Sequence, residues 1–138
     1  MKTCGKPAIP ALMLRIFDLF GQSAAMNALD EAMRASGVHP LLVPDAVKVA
    51  LMRLNKEAAA ARGRDAAFSD AAHLLAYCML GRAPFIESNG TVAADQVERR
   101  VEAAIDAGAS SDAKLILLAM HSGVIVSEIA DRIDIDDR

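Results

Sequence analysis

The chain has 138 residues, the size of one ordinary domain, and can bury a core without disulfide or metal staples. A net charge of −3 argues against a dedicated nucleic-acid binder without excluding a local basic patch, and with no Trp, one Tyr and four Phe the aromatic platforms that hold single strands are poorly supplied. No apolar stretch has the length and purity of a membrane span, and Arg15 and Asp18 interrupt the run after Lys2 and Lys6, which rules out a signal-peptide core.

Alanine accounts for 28 residues of the 54% hydrophobic fraction, so the composition signals helix as much as core, and it points to a bacterial source. Six glycines (Gly21, Gly37, Gly63, Gly81, Gly108 and Gly123) each close an apolar run at helical spacing, which predicts helix after helix. Residues 1–8 lack periodicity and are expected to be a flexible N-terminus, with 9–138 forming a single helical domain. A first helix is predicted over 10–20, and a second follows a Ser23 cap with Met26, Leu29 and Met33 inward. Residues 37–44, with Pro40 and Pro44, are apolar for a loop and are expected to pack on the core as an extended segment.

One long helix is predicted from 44 or 45 to 62, its alanine-rich last turns weakly anchored, followed by a charged turn over 63–68. A helix over 71–80 leads into 81–90, where Pro84 and Ser88-Asn89-Gly90 predict the longest irregular stretch. The clearest amphipath is 93–107, with Val97, Val101 and Ile105 inside, and with Asp95 and Arg99 outside as an i,i+4 pair. After Ser110 or Ser111 the run Leu115 to Met120 is apolar on all sides, so a buried helix near 112–122 is expected at the centre or in a subunit interface. A short helix from 127 to 133 completes an all-α, single-domain irregular bundle of six or seven short helices. The predicted core is Leu14, Phe17, Leu29, Met33, Val47, Leu51, Leu54, Leu74, Leu75, Val97, Val101, Ile105, Leu115, Leu118 and Ile129.

Chemistry has few footholds. His39, His73 and His121 fall on separate elements, and no HExxH, CxxC, P-loop or GxGxxG occurs, so no metal or cofactor is expected. The tail Asp134-Ile135-Asp136-Asp137 lacks the glycine and glutamate of a calcium loop. Cys4 and Cys78 read as reduced thiols of a cytoplasmic protein. Cys78 and His73 lie about 140° apart around one helix and cannot pair within it. Glu98, Glu102 and Asp106 share one helix face, the wet side of the amphipath. His73, Tyr77, Cys78 and Phe85 are the candidate lining of a pocket under 81–90. Lys48, Arg53, Lys56, Arg62 and Arg64, against Glu57 alone, are a candidate patch for an acidic partner.

The segment Leu115 to Met120, Ser122-Gly123, then Val126 through Ile135 resembles the first two helices of a helix-turn-helix domain, with Ser127-Glu128-Ile129-Ala130 in the positioning helix. In that family a recognition helix follows. Here the sequence reaches Arg138 within a few residues, in an acidic tail that phosphates repel, and the residues themselves read as a terminal hairpin closing the bundle.

The favoured function is a non-enzymatic protein–protein interaction or regulatory module, working through a helix face or apolar groove on a protein partner or as a homodimer. The alternatives are a DNA-binding regulator, which needs the basic segment beside the terminal hairpin, a small-molecule-binding protein or enzyme with its pocket near 81–90, and a phage or defence-related inhibitor of a larger host complex. Neither nucleic acid nor membrane is an expected partner of the favoured reading.

Overall fold

A computed structural model describes residues 24–108 and 110–136, with side chains as far as Ile133. The helix predicted over 10–20, with Leu14 and Phe17, lies outside the described residues, as does the expected flexible terminus.

Residues 24–35 form α1, which turns Leu29 and Met33 into the core and keeps Glu31 and Arg34 in water. Its end is a Schellman stop: the Val38 N–H donates to the Met33 carbonyl and the Gly37 N–H to the Arg34 carbonyl, with Gly37 at φ +98°. A 3-10 turn, Pro40–Leu42, leads into α2 (Asp45–Leu54), which buries Val47, Lys48 and Leu51. The long helix expected here bends at Asn55, whose side-chain amide donates to the Leu51 carbonyl, and α3 (Lys56–Arg62) continues beyond it. α3 is mostly alanine and buries no residue.

From α3 onward the chain changes direction at single glycines. α4 (Arg64–Leu80), α5 (Arg82–Asn89) and α6 (Thr91–Ala107) follow one another with only Gly63, Gly81 and Gly90 between them. At Gly81 the N–H donates to the Tyr77 carbonyl to end α4, while the Gly81 carbonyl accepts from the Phe85 N–H to begin α5. One residue thus closes two helices. Its backbone, at φ +86° and ψ 171°, lies in a region that side chains exclude. The expected charged turn at 63–68 is therefore the first turn of α4, with Asp65 near its positive end. The expected irregular stretch at 81–90 is α5, because Pro84 falls within its first turn, where proline is tolerated. The added α5, with the break at Asn55, raises the helix number slightly above the expectation, whereas the charged turn only lengthens α4.

α7 (Ser111–His121) starts from Ser110, whose hydroxyl accepts from the Ala113 N–H, and α8 (Ser127–Asp136) ends the described chain. No strand occurs among the described residues, and the molecule is one all-α domain. The centre is α4. It buries Ala67, Phe68, Ala71, Ala72, Leu74, Leu75, Ala76, Tyr77 and Cys78 around most of its circumference and packs on α3, α5, α6 and α7. Its alanines let neighbouring backbones approach closely. α7 buries Ala113, Leu115, Ile116 and Ala119, yet Leu117 is 40% exposed, so its apolar circumference is not fully covered. Most of the predicted core is buried, with Leu54, Ile105 and Leu118 partly so.

Gly81→Ala is expected to lower stability by about 1–3 kcal/mol through backbone strain. The added Cβ would also clash with the Glu128 carboxylate and displace it. Gly63 has a similar φ with open space around it and borders α3, which buries nothing, so Gly63→Ala should cost less. Urea unfolding of both variants measures the difference. Equal, negligible losses would show that the corners do not need glycine.

Candidate functional site

His73 and Tyr77 stand one turn apart on α4, and the corner at Gly81 folds α5 back over them. The Phe85 ring meets Tyr77 edge-on at a centroid distance of 5.3 Å and His73 at 6.1 Å, the arrangement ring quadrupoles prefer. Tyr77, Cys78 and Phe85 are no more than 2% exposed. Three of the four residues expected to line a pocket are thus core, because Phe85, carried on a helix instead of a loop, fills the space beneath. Burial pushes the Cys78 thiol up to about 12, which leaves no thiolate for chemistry at neutral pH.

His73 has another flank, which opens on a polar cleft of about 350 Å³ among α3, α4, α6 and α7. Arg100 crosses this cleft: Nε and Nη2 donate to the two Asp112 oxygens at 3.0 and 2.9 Å, and Nη1 donates to the Asp70 carbonyl at 2.8 Å. The Arg62 guanidinium pairs with the Asp70 carboxylate at the rim. Two guanidiniums and two carboxylates cancel, so the cleft offers no net charge to an ionic ligand. Burial holds the His73 imidazole below its usual 6.5, with Arg100 adding to the effect and Asp70 opposing it, so the ring is neutral at pH 7. Among the described residues His73 forms no side-chain hydrogen bond to a hydroxyl or thiol. Among the described residues no three metal-ligating side chains converge.

A second polar cluster links α4, α6 and α8. The Tyr77 hydroxyl donates to Glu98 Oε1 at 2.6 Å, and Arg132 Nη1 and Nη2 donate to Oε1 and Oε2 at 3.1 and 2.7 Å. Burial works against the Glu98 carboxylate, but the bonds from Arg132 and Tyr77 outweigh it and hold its pKa below the usual range. The Tyr77 phenol is raised by burial and by its bond to Glu98, so it stays protonated. Glu98 is therefore not on the wet side of α6. Asp95 likewise reaches Arg82 at 2.6 Å and not Arg99. The sequence held one signal: Glu98 is four residues from Ala94 and three from Val101, on the border of the buried stripe, where a charge needs a partner.

The basic residues do not form one patch. Lys48 is buried, with Nζ 3.0 Å from Asp30 Oδ1 in an ionic contact off the line of a hydrogen bond. Arg62 is spent on Asp70, while Arg53, Lys56 and Arg64 are exposed. Arg53 and Leu54 of α2 instead face Lys114, Leu117, Leu118 and His121 of α7 across an open trough of about 510 Å³. A smaller hollow of about 190 Å³ lies between α6, α7 and α8, lined by Ile105, Ile116 and Ile133.

The segment expected to pack down on the core does so in part: Val38, Pro40 and Val43 are buried, but Leu41 and Leu42 are 85% and 65% exposed. They are fixed outward, because the Leu41 N–H donates to His39 Nδ1, the Leu42 N–H to the His39 carbonyl and the Val43 N–H to the Pro40 carbonyl. No helix among the described residues is long and apolar enough to cross a membrane. Comparison with protein-family models, curated proteins and solved structures gives no match.

Glu98→Gln is expected to cost about 1 kcal/mol at pH 7, since the Glu98 and Arg132 side chains keep 27% and 34% of their surface in water. The native carboxylate, with its lowered pKa, contributes fully above its usual 4.5 and progressively less as acid titrates it, so the two stability curves should converge below that pH. Parallel curves down to strong acid would remove Glu98 from the account. In a Cys4→Ser variant, Cys78 should resist an aromatic disulfide reagent under native conditions and react fully in denaturant. Prompt native reaction would contradict its burial.

Proposed function

We propose that this chain is a non-enzymatic interaction module whose contact with a protein partner is made through the Leu41–Leu42 turn. The observation that carries this reading is the exposure of two adjacent leucines on a turn whose other residues are pinned. Leaving a leucine in water forgoes about 1.5–3 kcal/mol of burial, and a polar residue would serve a 3-10 turn equally well. Pro40 and Val43 anchor the turn from below, so little conformational entropy is lost when a partner covers it. The buried thiol, the charge-compensated cleft and the neutral, unassisted His73 support a binding role over a catalytic one.

A photo-crosslinking residue at position 42, introduced into the full chain in its own cells, tests the proposal. The expected product is a single heavier species, lost in a Leu41→Ser variant and absent when the same residue replaces exposed Ala60. A product of twice 14.6 kDa would make the partner a second copy. Because both leucines are exposed, Leu41→Ser with Leu42→Ser should change stability by no more than about 0.5 kcal/mol. Crosslinking no different from that at position 60 would sink the reading.

A further inference from the structure

We infer that the trough between α2 and α7 is a second docking site, and that its occupant is an acidic amphipathic helix of a partner protein. It lies at the C-terminal end of α2, whereas the Leu41–Leu42 turn precedes the N-terminal end. α2 has 10 residues, so about 15 Å of helix separates the two. The inference therefore stands independently of the proposed role of the turn.

The floor is Leu54, Leu117 and Leu118, and the rim is Arg53, Lys114 and His121, with no acid among the described lining residues. Arg53 and Lys114 form no salt bridge among the described residues, although most of the other arginines there are paired. A local excess of positive charge on a chain of net charge −3 is a selective feature, because it attracts acidic groups to this face and away from the rest of the surface. The shape selects the occupant further. The trough is open along its length and cannot enclose a small molecule, as ligand pockets do. Lys114 to His121 spans about 10 Å along α7, the length of roughly two helical turns, so a helix laid in the trough places two or three apolar side chains on the leucines. Its flanking acids then meet Arg53, Lys114 and His121. A nucleic acid would find no aromatic ring among the described residues of this floor to stack against.

The test is an NMR titration of the full chain with a synthetic peptide of about 14 residues, leucine at i, i+3, i+4 and i+7 and glutamate elsewhere. Amide shifts should centre on Arg53, Leu54, Lys114, Leu117, Leu118 and His121. Affinity should fall roughly tenfold when lysines replace the peptide's glutamates, and by a similar factor in Arg53→Glu or between about 50 and 500 mM salt. Leu117→Glu should abolish binding with its thermal midpoint retained, since Leu117 is already 40% exposed. The inference is overturned if the lysine peptide binds as well, if shifts centre elsewhere (the Leu41–Leu42 turn included), or if no binding occurs. It is equally overturned if an oligothymidylate displaces the peptide from the same residues, or if Leu117→Glu dissolves a dimer, which would seat nucleic acid or a second copy there.

Discussion

Three corners of one residue each govern this fold. Gly63, Gly81 and Gly90 join α3, α4, α5 and α6 with no loop between them, and each glycine carries the last hydrogen bond of one helix and the first of the next. The corner at Gly81 leaves α5 no slack, so Phe85 must land on Tyr77 and His73. Arg82, immediately past the corner, comes within reach of Asp95 on α6. At the far end of α5, Asn89 donates to the Ser36 carbonyl at 2.8 Å, and Gly37 lies so close to Ser88 that a Cβ there would sit 2.5 Å from its hydroxyl. The short helix therefore ties the end of α1 to the middle of the chain.

The corners work because α4 is small-sided. Ala67, Ala71, Ala72 and Ala76 contribute little area each, and what they supply is proximity: neighbouring helices gain dispersion contacts along the whole 17-residue element. Larger burial comes from a few side chains set into that frame, Tyr77, Phe85, Leu74 and Leu75 chief among them. With so few aromatics, uniqueness rests partly on polar contacts. Tyr77–Glu98–Arg132 links α4 to α6 and α8, and Arg100 links α6 to α7 and to the α4 backbone. Partly buried pairs of this kind contribute modestly to stability, but each is satisfied in one register of the helices only.

Where periodicity is local, the sequence was readable. Leu29 and Met33 on α1, Val47 and Leu51 on α2, and Val97 and Val101 on α6 recur at helical spacing on one face, and all are buried. The start of α4 is hidden because Arg64 and Asp65 look like a turn and because alanine carries no periodic signal. α5 was hidden by Pro84 and by Ser88-Asn89-Gly90, residues that serve a helix's first turn and its stop as well as they serve a loop. The candidate site was less legible, because its decisive partners are distant in sequence. Lys48 reads as surface charge until Asp30 on α1 is placed beside it, and Arg53 reads as one of a basic run until α7 brings Lys114 opposite. Leu41 and Leu42 read as core because apolarity alone cannot tell which residues of a short turn face inward.

The consequence for function lies in α2. Its inner face, Val47, Lys48 and Leu51, is buried and ion-paired to α1, so the helix is a rigid spacer in the bundle. One end presents two leucines on a pinned turn, and the other contributes Arg53 and Leu54 to a positively rimmed trough. Neither surface is large, and on the proposed reading each alone would support only weak binding. Held at a fixed separation, the two proposed contacts would act together: once one is engaged, the second would meet its ligand at a high effective concentration, provided that the partner spans the gap without strain. On the proposed reading a small helical domain would thereby be selective, because a partner would have to match an apolar contact, a positively rimmed trough and the distance between them.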